Sequence, residues 1–97
     1  MLNAEEKRNI ELLDKLERLK HNQDFKQVIT NFYSNVYALD IVNELHQFPV
    51  NSDAFNEKIR QLDAISMFNQ FLVELENNGQ IAKDNERYLS KIPNEDF

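Results

Sequence analysis

Three residues limit what this chain can become. Gly79 is its only glycine, and Pro49 and Pro93 are its only prolines, in 97 residues. Hairpin turns and strand ends normally consume glycine, Asn-Gly pairs and proline, so a chain this poor in breakers is expected to form long helices rather than sheet. The apolar periodicity agrees with an all-α fold.

The helices can be placed from their ends. Helix one is expected over 4–20, with Asn3 as cap and Glu6 three positions on, the spacing of a capping box. Leu12, Leu16 and Leu19 recur at 4 and 3 positions, and Leu13 widens that stripe. Glu11–Lys15 and Asp14–Arg18 stand four apart with the acid first, the order that stabilises a helix face. "HNQ" breaks the run, Asn22 caps the next helix, and Asp24 lies at its positive end. Helix two is expected over 23–47, because Pro49 biases Phe48 away from helix. Asn51 or Ser52 caps helix three, which runs to Asn77. "NNG" reads as its ending, with Gly79 taking the left-handed conformation. A short helix four follows over 80–90, and "IPNEDF" is a loose end, giving one helical domain over 1–92 and a flexible tail over 93–97.

Helices two and three hold about 25 residues each, roughly 37 Å of helix. The short connection between them implies a long antiparallel hairpin with the N-terminal helix packed alongside and the short C-terminal helix completing it. At 100° per residue the apolar positions change face along each long helix. Phe25, Val28, Ile29, Phe32, Val36 and Leu39 share one side, whereas Ala38, Ile41, Val42 and Leu45 lie almost opposite. Likewise Phe55, Ile59 and Leu62 give way to Phe68, Phe71, Leu72 and Leu75. Phe25 and Phe32 are expected in the core. The second faces (Ile41, Val42, Leu45, Phe68, Phe71, Leu72 and Leu75) are either closed by helix four, with Ile81, Tyr88, Leu89 and Ile92, or shared with a second copy or another protein.

Composition removes several classes of function. Seventeen acidic against eleven basic residues leave a net charge of −6, without the basic face a nucleic-acid binder needs. Phe32, Tyr33 and Tyr37 could form a base-stacking platform, but no lysine or arginine occurs between Lys26 and Lys58 to meet a phosphate. The chain has no cysteine, hence no disulfide, thiolate nucleophile or cysteine–zinc site. No apolar run reaches the ~20 residues of a membrane span, and "MLNAEEKRNIELL" lacks a signal-peptide core. One glycine cannot build a phosphate-cradling loop, and the serines lack a nucleophile-elbow context. Neither His21 nor His46 has a second histidine at helical spacing, and a surface histidine is the better account of each. Asp40 and Glu44 could share a helix face as an acid–base or metal pair, but a solvated helix surface explains them without one. The expectation is a protein that is no enzyme and takes no cofactor, metal or small-molecule substrate, with a protein partner or its own copies as ligand.

"RLKHNQDFKQVI" followed by "FY" resembles a pattern in small helical proteins of tailed bacteriophages, often encoded near head and portal genes. The resemblance rests on Arg18–Leu19, Asn22, Asp24-Phe25-Lys26, Val28–Ile29 and Tyr33. A second stretch, "DAISMFNQFL", adds Ala64–Ile65 and the aromatics after it. The two stretches cover about half the chain. Asn31 stands where those proteins commonly carry glycine, and "YALDIVNEL" replaces an acidic-alanine-arginine run. The resemblance implies a structural or virion-assembly protein located in the host cytoplasm or the virion. A small phage inhibitor of a host enzyme, polymerase or defence protein is the alternative.

Overall fold

The computed structural model describes residues 2–91; the expected tail over 93–97, and Ile92, lie outside them. Among the described residues the chain is all-α. Helix α1 spans Ala4–His21. A short α2, Gln23–Phe25, continues into a π-helical segment, Lys26–Tyr37, and then into α3, Ala38–Leu45. After a turn, α4 runs uninterrupted from Asp53 to Lys91.

The ends form as local chemistry dictates. At the start of α1 the Glu6 amide donates to Asn3 Oδ1 at 2.8 Å, and the Asn3 amide donates to Glu6 Oε1 at 3.2 Å, a reciprocal capping box. Asn22 Oδ1 accepts from the Phe25 amide at 3.0 Å, and Ser52 Oγ from the Phe55 amide at 3.2 Å. The expected cap of helix three is thus Ser52; Asn51 instead takes φ 68°, the left-handed region that asparagine tolerates better than most residues. The helix before Pro49 stops at Leu45, two residues short of expectation. Its last carbonyls are taken up by tighter bonds, Gln47 N–H to Glu44 O and Phe48 N–H to Leu45 O.

Packing divides the chain into two units, one combining Met1–Arg18 with Leu72–Phe97, the other comprising Leu19–Phe71. In the first, Leu13, Leu16 and Ala82 are buried. Lys83 Nζ donates to Asp14 Oδ1 at 2.8 Å, and Asn85 Nδ2 to Glu6 Oε2 at 2.7 Å. Asp14 therefore reaches across to α4, not along α1 to Arg18. Gly79 is buried against Leu13 and Asn9; a Cβ there would lie 2.9 Å from the Asn9 carbonyl oxygen and closer still to Leu13. This corrects the expected break. Gly79 ends no helix and adopts no positive φ. Its missing side chain lets α1 approach, so helices three and four are one helix.

The second unit buries Ile41 and Ile65. The Tyr33 ring meets Phe68 edge-on, 5.8 Å between centroids at 88°. Ser34 Oγ donates to Asn69 Oδ1 at 2.9 Å, and Lys58 pairs with Glu44 at 2.6 Å. Phe25 is half-buried, but Phe32 is 51% exposed and belongs to no core.

The π winding explains that difference. Inward residues of this rod are Phe25, Ile29, Tyr33 and Ser34, then Ala38, Ile41 and Leu45. Up to Ala38 they recur every four or five positions; beyond it, at three and four. Bonding to the fifth residue on widens the turn to roughly 4.4 residues, about 82° per residue in place of 100°. Across twelve residues the difference accumulates to about half a turn. Ile41 and Leu45, which an α-helical wheel sets opposite Phe25 and Ile29, are thereby returned to the same side. Asn35 supports the wide turn, its Nδ2 donating to the Thr30 carbonyl oxygen at 2.8 Å.

Candidate interaction surface

Winding that gathers one set of residues inside places another set outside. Val28, Phe32, Val36 and Leu39 keep half or more of their surface open, and Val42 somewhat less. The first three recur at intervals of four, close to one π turn, and form a row along the rod. The row bends into a shallow open groove of about 400 Å³, lined by Ser34, Asn35, Val36, Ala38, Leu39 and Val42. Residues 27–39 contain no ionisable acid or base other than the two tyrosines, so the surface is apolar with a rim of Gln27, Thr30, Asn31 and Asn35. Phe32 and Tyr37 rings stand 6.0 Å apart, and Tyr37 stacks on Tyr33 at 6.0 Å. That aromatic ladder links the base of the row to the half-buried Tyr33–Phe68 contact.

The seven residues expected to bind a partner separate by burial. Ile41 is only 2% exposed; it is enclosed by its own unit and leaves the expected surface, because the π winding turned it inward. Val42 and Phe71 are exposed. Leu45, Phe68, Leu72 and Leu75 are half-buried, Phe68 beneath Tyr33. Val28, Phe32, Val36 and Leu39, which the sequence reading grouped on one side with Phe25 and Ile29, are exposed instead. Their signal was present as the four- and five-residue recurrence of Phe25, Ile29, Tyr33 and Ala38.

No family model matches this chain, and no curated protein or solved structure does.

Several polar groups hold helix ends or bridge helices. Among the described residues, no buried side-chain nitrogen or oxygen lacks a hydrogen-bond partner. Glu44, considered with Asp40 as a carboxylate pair, is bound to Lys58, and that hydrogen bond holds the Lys58 ammonium above its ordinary pKa. The Asp14 hydrogen bond does the same for Lys83. Glu6 is held below the ordinary carboxylate value by hydrogen bonds from Asn85 and then from the Asn3 amide. His21 closes α1 and His46 caps α3. No group of three or more His, Asp or Glu able to hold a metal ion occurs among the described residues, and no helix there is long and apolar enough to cross a membrane.

Proposed function

We propose that this chain is a non-enzymatic structural or virion-assembly protein of a tailed bacteriophage, acting in the host cytoplasm or the virion by presenting apolar helical faces to other proteins. The observation that carries this reading is the row Val28, Phe32, Val36 and Leu39, left open on a rod whose other apolar side is already covered. Contiguous apolar surface of this kind marks protein contact sites. The phage setting comes from the resemblance of "RLKHNQDFKQVI" and "DAISMFNQFL".

The rod and the first part of α4 form an antiparallel hairpin that stiffens this face. In support, partners of increasing position on the rod decrease along α4: Tyr33 and Ser34 pair with Phe68 and Asn69, Glu44 with Lys58. Val42 and Phe71 add exposed apolar area within the same unit, and Leu45 and Phe68 contribute only their open edges.

Mass spectrometry of purified particles tests the reading. The protein is expected in particles or their assembly intermediates, and Val36→Asp is expected to remove it from them while leaving its helical spectrum intact. Recovery on a host protein, with none in particles or intermediates, would replace assembly by inhibition.

A further inference from the structure

We infer that the row from Val28 to Val42 is the seat of a second copy of this chain, the two rods crossing antiparallel about a two-fold axis beside Asn35 and Val36. This rests on the reading of that face as a protein-docking surface and names its first occupant.

Three observations select a second copy. The first is pattern. About an axis between residues 35 and 36, Phe32 falls opposite Leu39, with Val36 beside the axis. In a two-fold interface residue i meets j and j meets i, so the row is its own complement. Phe32 projects from one rod, and the groove at Val36, Ala38, Leu39 and Val42 lies where its counterpart arrives.

The second is charge. The uncharged run 27–39 is bounded directly by Lys26 on one side and by Asp40 on the other; Asp24 lies two residues before Lys26, and Glu44 is already paired with Lys58. Antiparallel crossing sets Lys26 of each copy beside the acidic end of the other. Parallel crossing would oppose lysine to lysine and aspartate to aspartate, and like charges across an interface select against that arrangement.

The third is area. Five large apolar residues at their observed exposures leave roughly 400–500 Å² in the open, the size of patch that on a monomer is often functional. Two such patches, with their Thr and Asn rims, reach the ~1,000 Å² that a specific interface requires.

The test uses the full chain. Light scattering across a concentration series should give twice the mass of one chain, and Phe32→Asp should halve it with no loss of helical circular dichroism. Because the chain has no cysteine, register is read directly by single replacements under mild oxidation. Val36→Cys, beside the axis, should form a disulfide-linked dimer, and Val28→Cys, two π turns away, should not, since the bond needs Cβ atoms about 4 Å apart. A single-chain mass at every concentration overturns the pairing, as does linkage at Val28 without linkage at Val36. The two readings fail separately. A strict monomer that Phe32→Asp nevertheless removes from particles ends the self-pairing and keeps the assembly role. A dimer never found in particles or intermediates keeps the pairing and ends the assembly role.

Discussion

Gly79 lies against Leu13 with no room for a side-chain carbon between them. The sole glycine of the chain therefore sits inside the longest helix, where it weakens helical propensity and permits a close helix–helix approach.

Gly79→Ala is expected to destabilise. Helix propensity alone predicts a gain of ~1 kcal/mol. The added carbon must displace Leu13 or the α1 backbone at Asn9, and overpacking of that kind costs about 1–3 kcal/mol. A melting temperature several degrees lower is the expected result, and Leu13→Ala should make the second change much cheaper. A rise in melting temperature would show that α1 does not approach here.

Leu13→Ala and Phe32→Ala should differ sharply. Leu13 is 1% exposed, and truncating a buried leucine costs about 2–5 kcal/mol. Phe32 is half open, so its truncation should cost under about 1 kcal/mol in monomer stability at low concentration. Denaturant melts of the two variants provide the comparison; equal losses would return Phe32 to the core.

The π segment has a numerical signature. Ten α-helical residues turn through nearly the same angle, and span about the same length, as twelve π-helical ones. Deleting Asn31 and Asn35 together should thus leave a fully α-helical rod with Ile29, Tyr33, Ala38 and Ile41 still facing inward. The double deletion is expected to fold cooperatively, whereas deleting Asn31 alone misaligns Ile41 and lowers stability. Chemical denaturation of both would decide it, and a double deletion less stable than the single one would contradict the winding argument.

Stability should be lost at both pH extremes for different reasons. Glu6 titrates below its ordinary value of 4.5 in the folded chain because Asn85 and Asn3 hydrogen-bond its carboxylate. Its contribution is present above that value and is lost as pH falls through the folded pKa. Lys58 and Lys83 titrate above their ordinary 10.5, so their contributions are complete below that value and are lost as pH rises through the folded pKa. Melting temperature should be level through neutrality. Glu6→Gln should flatten part of the acid limb, and Lys83→Met part of the alkaline one.

Features with local causes were legible in the sequence. The Asn3–Glu6 box, the Asn22 cap and the Ser52 cap are each written within four residues. Helical content followed from the scarcity of breakers. The continuity of α4 was hidden because the reason for Gly79 lies on α1, and a glycine after two asparagines looks like an ending when viewed locally. The orientation of the rod was hidden for another reason. A wheel drawn at 100° per residue assumes the very winding that residues 26–37 abandon, so Phe32 was turned inward and Ile41 outward on paper. Of the expected contact residues, Val42 and Phe71 are open.

The uncharged row on the rod carries a thermodynamic consequence. Water lying on Val28, Phe32 and Leu39 is held against hydrocarbon with almost no fixed charge nearby. Whatever molecule displaces it will release that water and lower the heat capacity of the complex. Ionic strength will act only through the few charges at the ends of the row, because screening has little to act on between them. Association at this face should therefore respond strongly to temperature, weakening in the cold, and only slightly to salt.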